Sequence, residues 1–156
     1  MKGGGLALKG LQWFLRIIEF CCAAIVLAIF CYFLATLHNH NLSIATYIRA
    51  VTGISGAAVV YSALGLVLLW CLAGFVVLSS IAILLDFAFS ASFIYIAWAT
   101  RGGAGSCNGE VNTPFGSGNT GTDTVSNGSG GFTKLPSLHQ ACQLNTACFA
   151  VSLVAM

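Results

Sequence analysis

One acid, Asp86, interrupts an otherwise uncharged apolar stretch, "VLSSIAILLDFAFSASFIYIAWAT", residues 77–100. A carboxylate in such surroundings can do one of two things. It can take part in proton or ion transfer, or it can hydrogen-bond to a neighbouring helix. Helical spacing places Ser79, Ala82, Asp86, Ser90 and Ala97 along one stripe, small and polar. Faces of that kind let membrane helices approach closely and hydrogen-bond, so a packing contact is the favoured expectation for Asp86, Ser79 and Ser90.

The remaining chemistry is sparse. Arg16 and Glu19 stand three apart and can pair on one helix face, as an ion pair at a membrane interface. His38-x-His40 offers two imidazoles in a polar turn, which reads as a turn and not as a metal site. Cysteines Cys21, Cys22 and Cys71 fall near helix ends where S-palmitoylation occurs; as small apolar residues they would be equally at home. The chain shows no nucleophile elbow, phosphate loop or metalloprotease pattern, and no zinc-ligand spacing. No catalysis and no cofactor are expected.

What must position these residues follows from composition. The chain has 156 residues, 58% hydrophobic and only 6% charged. Its mean hydropathy is +0.91. Soluble domains carry about 25% charged residues, so this sequence has too few to cover a water-facing surface. A net charge of +2 argues against nucleic acid as a partner. The sequence therefore reads as one all-α domain, 1–156: a transmembrane four-helix bundle with a long Gly/Ser/Thr-rich loop between helices 3 and 4.

Spans are expected at about 14–37, 50–71, 75–100 and 138–156. The first could be mistaken for a signal peptide, but its apolar core is too long and no small-x-small cleavage site follows. A single straight helix over 51–99 would measure about 74 Å, more than twice the ~30 Å hydrocarbon core, so the chain must turn back. The turn is expected near Trp70–Gly74, with Ser79-Ser80 as the alternative. The fourth segment just reaches across at about 28 Å and stops without a polar tail. Between spans, 101–137 reads as flexible, ordered only where something ties it.

On the second span, Gly53-x-x-x-Ala57 and Ala58-x-x-x-Ser62 are small-xxx-small pairs, suited to packing within the bundle or between copies. Lys2, Lys9 and Arg16 before the first helix favour a cytosolic N-terminus. The sequons at Asn41 and Asn127 fall on the opposite side, as glycosylation requires. The long loop contains Cys107 near its start and meets Cys142 at its end. A disulfide between them would join the ends of helices 3 and 4 in an oxidising compartment; otherwise Cys142 is a small apolar residue at a helix end.

This layout resembles a MARVEL domain: four spans, a very short first outer loop and a longer second one bracketed by cysteines. The stretches "FSASFIYIAWATRGGAGSCNGEVNTPFGSG" and "LPSLHQACQLNTACFAVS" are similar to small fungal members of that group. There an acid in the third span and a cysteine-containing outer loop recur, here Asp86, Cys107 and Cys142. The sequence departs from the pattern at its end, where a full fourth span and a cytosolic tail would be expected. The absence of a Cys-Cys-Gly motif and of a large first loop separates it from tetraspanins and claudin-like proteins.

The resemblance implies a non-catalytic role in membrane organisation or vesicle traffic, at the plasma membrane or in secretory-pathway membranes. Its partners would be lipids and copies of itself. Sterol or sphingolipid is among the lipids considered, since Leu42–Arg49 matches a proposed cholesterol-contact pattern. Two other roles remain open: a small transporter or channel subunit using Asp86, and a surface protein acting through 101–137.

Overall fold

The computed structural model describes residues 3–71, 76–121, 124–126, 132–134 and 137–156, with side chains at 10–67, 80–121 and 137–156. Four helices dominate: α1 (Gly3–Asn39), α2 (Thr46–Cys71), α3 (Val76–Ala99) and α4 (Leu138–Val154). Three contain stretches long and apolar enough to cross a membrane, Gly10–Asn39, Thr46–Val67 and Ser80–Ala99. The fourth, α4, is only about 25 Å long. The α2–α3 turn lies in 72–75, outside the described residues, and Ser79-Ser80, the alternative turn, is helical.

Polar side chains inside these helices satisfy themselves locally. Thr52, Ser55, Ser62, Ser92 and Thr100 each donate to the carbonyl four residues earlier. Helix α1 ends in a Schellman motif: Leu42 N–H donates to Leu37 O at 3.0 Å and Asn41 N–H to His38 O at 3.2 Å. Asn41 takes the left-handed conformation this cap requires, at φ 52°. The polar turn that holds His38 and His40 is thus a helix cap, with Leu42 folded back on the core.

The segment 101–137 departs from the all-α expectation of a flexible loop. A 3-10 turn, Arg101–Ala104, leads into two antiparallel hairpins, β1 (Glu110–Thr113) with β2 (Gly116–Asn119) and β3 (Thr124–Ser126) with β4 (Phe132–Lys134). Composition missed them because few apolar residues hold the first hairpin down. Val111 and Phe115 are buried, and the Phe115 ring meets Phe33 of α1 edge-on at 5.2 Å.

Helix α1 packs mainly on α2, and α4 lies against both α1 and α3. The core gathers at the loop end of the helices. Phe30, Phe33 and Leu37 of α1 meet Ile48 and Val51 of α2, Phe93 and Ile96 of α3, and Leu138 of α4. Towards the other end the helices are less covered, and large apolar side chains such as Leu64, Leu84 and Phe87 face outward. A helix apolar on all sides suits lipid as its solvent.

Candidate functional site

The predicted Arg16–Glu19 pair forms, and it is half of a larger cluster. Arg16 Nη1 donates to Glu19 Oε2 at 2.8 Å and to Asp86 Oδ1 of α3 at 2.7 Å. Its Nη2 lies 3.3 Å from Asp86 Oδ2 and 3.3 Å from the Tyr61 hydroxyl of α2. The Tyr61 hydroxyl in turn donates to Asp86 Oδ1 at 2.8 Å, with the Ala82 carbonyl 3.1 Å away as a second acceptor. One guanidinium thus ties three helices together. A planar fork with several donors is the side chain suited to this, because it can serve two carboxylates and a phenol at once.

Each element contributes through its periodicity. Arg16 and Glu19 continue the buried stripe of α1 that runs through Ala23, Val26, Phe30, Phe33 and Leu37. Tyr61 and Gly65 lie one turn apart on α2. A Cβ at Gly65 would stand 3.3 Å from Arg16 Nε, so glycine makes the seat for the guanidinium. The guanidinium carbon sits 4.9 Å from the centre of the Tyr61 ring, a cation–π contact. Phe89 of α3 also stacks on the Tyr61 ring, with centroids 4.8 Å apart.

From Thr100 at the loop end of α3, Asp86 is about 21 Å down the helix. Exposure is uneven: the Arg16 side chain is 9% exposed, Glu19 21% and Asp86 46%. The expected contact of Asp86 with a neighbouring helix is therefore present, and its partner is a cation on a helix two elements away.

Other expectations fare differently. Of the second-span pairs, Ala58 and Ser62 are buried. Gly53 and Ala57 are exposed, and nothing lies within 4 Å of a Cβ built at Gly53, so that pair is off the packing face. The packing face is Val51, Ser55, Ala58 and Ser62, spaced at helical intervals. On α3, Ala97 is buried and Ala82 and Ser90 half-buried, while the Ser79 side chain lies outside the described residues. Cys22 is buried and closed to acylation in this arrangement, whereas Cys21 is exposed. The Cys71 side chain and Asn127 lie outside the described residues; Asn41 is exposed.

Cys107 and Cys142 form a disulfide, with Cα atoms 5.7 Å apart. Around it the loop is fastened to α4 by contacts the sequence did not suggest. Thr146 Oγ1 donates to Gly103 O at 2.7 Å, and His139 Nδ1 lies 3.0 Å from Cys107 O. Gly103 passes so close to α4 that a Cβ would stand 2.6 Å from the Asn145 carbonyl carbon. Asn145, buried on α4, reaches Thr100 O at 3.5 Å.

Tyr61 and Gly65 escaped sequence reasoning, but one signal was present. A guanidinium inside a span needs a counter-charge, and Asp86 is the acid available in the other long spans. No protein-family model, curated protein or solved structure matches this chain.

Proposed function

We propose that this chain is a non-catalytic integral membrane protein that organises its membrane by lateral association with lipids and other membrane-embedded helices. The Arg16–Asp86–Tyr61 junction carries the reading. Its ionisable groups are engaged with one another and tie three helices together, with large apolar side chains facing outward around them. Asp86 accepts from two side chains on two other helices, at 2.7 and 2.8 Å, so it is held as part of the helix junction. The layout that resembles a MARVEL domain supports the same role, in a plasma or secretory-pathway membrane. The disulfide favours the loop side as the extracellular or lumenal one and the N-terminus as cytosolic.

Reconstitution tests this directly. In giant vesicles with coexisting ordered and disordered lipid phases, the labelled chain is expected to concentrate in one phase or form clusters, with no proton or cation flux under an imposed gradient. Flux that disappears with Asp86→Asn would overturn the proposal in favour of a transporter subunit.

A further inference from the structure

The loop end of α3 carries a second polar cluster, separate from the Arg16 junction. Tyr95, Trp98 and Arg101 follow one another at helical spacing and are all exposed, Trp98 to 59%. They stack in order. The Tyr95 and Trp98 rings have centroids 6.3 Å apart, and the Arg101 guanidinium carbon sits 4.8 Å over the Trp98 ring. Phe93, Ile96, Ala97 and Thr100 are buried, so this ladder lies on the outward face of the helix.

Each rung offers a hydrogen-bond donor that the protein leaves open. Among the described residues, neither the Tyr95 hydroxyl nor Trp98 Nε1–H has an acceptor, and Arg101 forms no ion pair, with Glu110 or any other acid. The indole face holds the guanidinium while leaving its fork of N–H donors for other acceptors. The candidate span Ser80–Ala99 ends just before Arg101, with Trp98 and Tyr95 in its last two turns. From Tyr95 to Arg101 is about 9 Å along the axis. One leaflet's headgroup region is roughly 5–8 Å deep. The cation therefore stands at the level of lipid phosphates, and the two aromatic donors at the level of the ester carbonyls. Below them the exposed Ile94 offers an apolar surface to an acyl chain.

We propose that this ladder binds one anionic phospholipid from the leaflet on the loop side. Its phosphate accepts from the Arg101 guanidinium, and its ester oxygens accept from Trp98 and Tyr95. A planar fork matches a phosphate in a way a point charge does not. A zwitterionic lipid brings its own cation, whereas Arg101, without an acid beside it, is complemented by a lipid of net negative charge. Trp and Tyr alone would mark a membrane boundary without lipid preference; the cation held on the ring is what distinguishes this site. Arg49, also exposed at the loop end, has no ring beneath it among the described residues. The inference names a lipid class for the lateral association proposed above, and rests on that reading.

The test places the full chain in vesicles that mix phosphatidylglycerol with phosphatidylcholine. Trp13→Phe and Trp70→Phe leave Trp98 as the one fluorophore, and bromine on the acyl chains of one lipid at a time quenches it when that lipid lies alongside. Spin-labelled lipids read the same preference in the unaltered chain, should the tryptophan changes disturb folding. Phosphatidylglycerol is expected beside Trp98 with about fivefold preference over phosphatidylcholine. Arg101→Gln should abolish the preference while quenching by phosphatidylcholine persists, and Arg49→Gln should leave it in place. Equal quenching by the two lipids would overturn the proposal. So would a preference that outlasts Arg101→Gln, or one that falls as much with Arg49→Gln, which would signal general charge attraction. Co-flotation of the unaltered chain separates the two readings: a chain that does not float overturns the membrane role as well, whereas one that floats without lipid preference overturns this assignment alone.

Discussion

Arg16 can be removed in two ways that differ only in what they leave behind, and the difference measures how far charge holds the three helices together. Arg16→Met keeps the apolar stem and deletes the guanidinium, so Glu19 and Asp86 face each other without a cation. Breaking a buried ion pair from one side costs about 3–5 kcal/mol. Arg16 is 9% exposed but Asp86 is 46%, and Tyr61 still donates to Asp86, which argues for the lower end, about 3 kcal/mol. In the triple variant Arg16→Met, Glu19→Gln, Asp86→Asn no charge is stranded. Both variants lose the guanidinium's hydrogen bonds, but only the single variant leaves carboxylates without their donor, a penalty of about 1–3 kcal/mol. The triple variant should therefore be the more stable of the two by about 1–3 kcal/mol. Unfolding in mixed micelles by titration with a denaturing detergent, followed by far-UV circular dichroism and tryptophan fluorescence, gives both values. If the single variant proves as stable as the triple, the cluster is not held by its charges, and the account given for Arg16 fails.

Gly65→Val should displace the guanidinium at a cost of about 1–3 kcal/mol, and its effect should be less than additive with Arg16→Met in a double-mutant cycle, since both act on one contact. Ala58→Leu is expected to lower stability by about 1–3 kcal/mol through overpacking, whereas Gly53→Ala should leave it within about 1 kcal/mol or raise it; equal effects in a detergent-unfolding series would put the packing face elsewhere. Gly103→Ala forces a methyl against the α4 backbone and should cost at least about 2 kcal/mol, read as a lower thermal midpoint in micelles. Reducing Cys107–Cys142, which closes a separation of 35 residues, removes about 4 kcal/mol in the chain-entropy treatment; hydrogen exchange should then quicken in 110–119 while α1 and α2 keep their protection.

Deleting 113–131, an obvious way to test the loop for adhesion, would not leave the bundle untouched, because it removes Phe115 from its seat on Phe33. A deletion confined to 120–131 spares that contact and the β1–β2 hairpin, and is the informative variant.

Much was legible in the residues themselves. The three long spans follow from sustained apolarity with few charges, because hydrocarbon accepts only helices that satisfy their own backbone. The Arg16–Glu19 pair follows from spacing along one helix, and the expectation of a disulfide from two cysteines bracketing a loop. Each of these is a local property, or a comparison between solvent and composition. Which side of a helix faces its neighbours is not. In α2 nearly every position is apolar or small, so Gly53-x-x-x-Ala57 and Ala58-x-x-x-Ser62 look equivalent as patterns. Only packing distinguishes the buried pair from the exposed one, because in lipid the outward face need not be polar. The same blindness hid the join between Arg16 and Asp86. They come together because α2 brings Tyr61 and Gly65 to the guanidinium, and that is a fact of how the helices align in three dimensions.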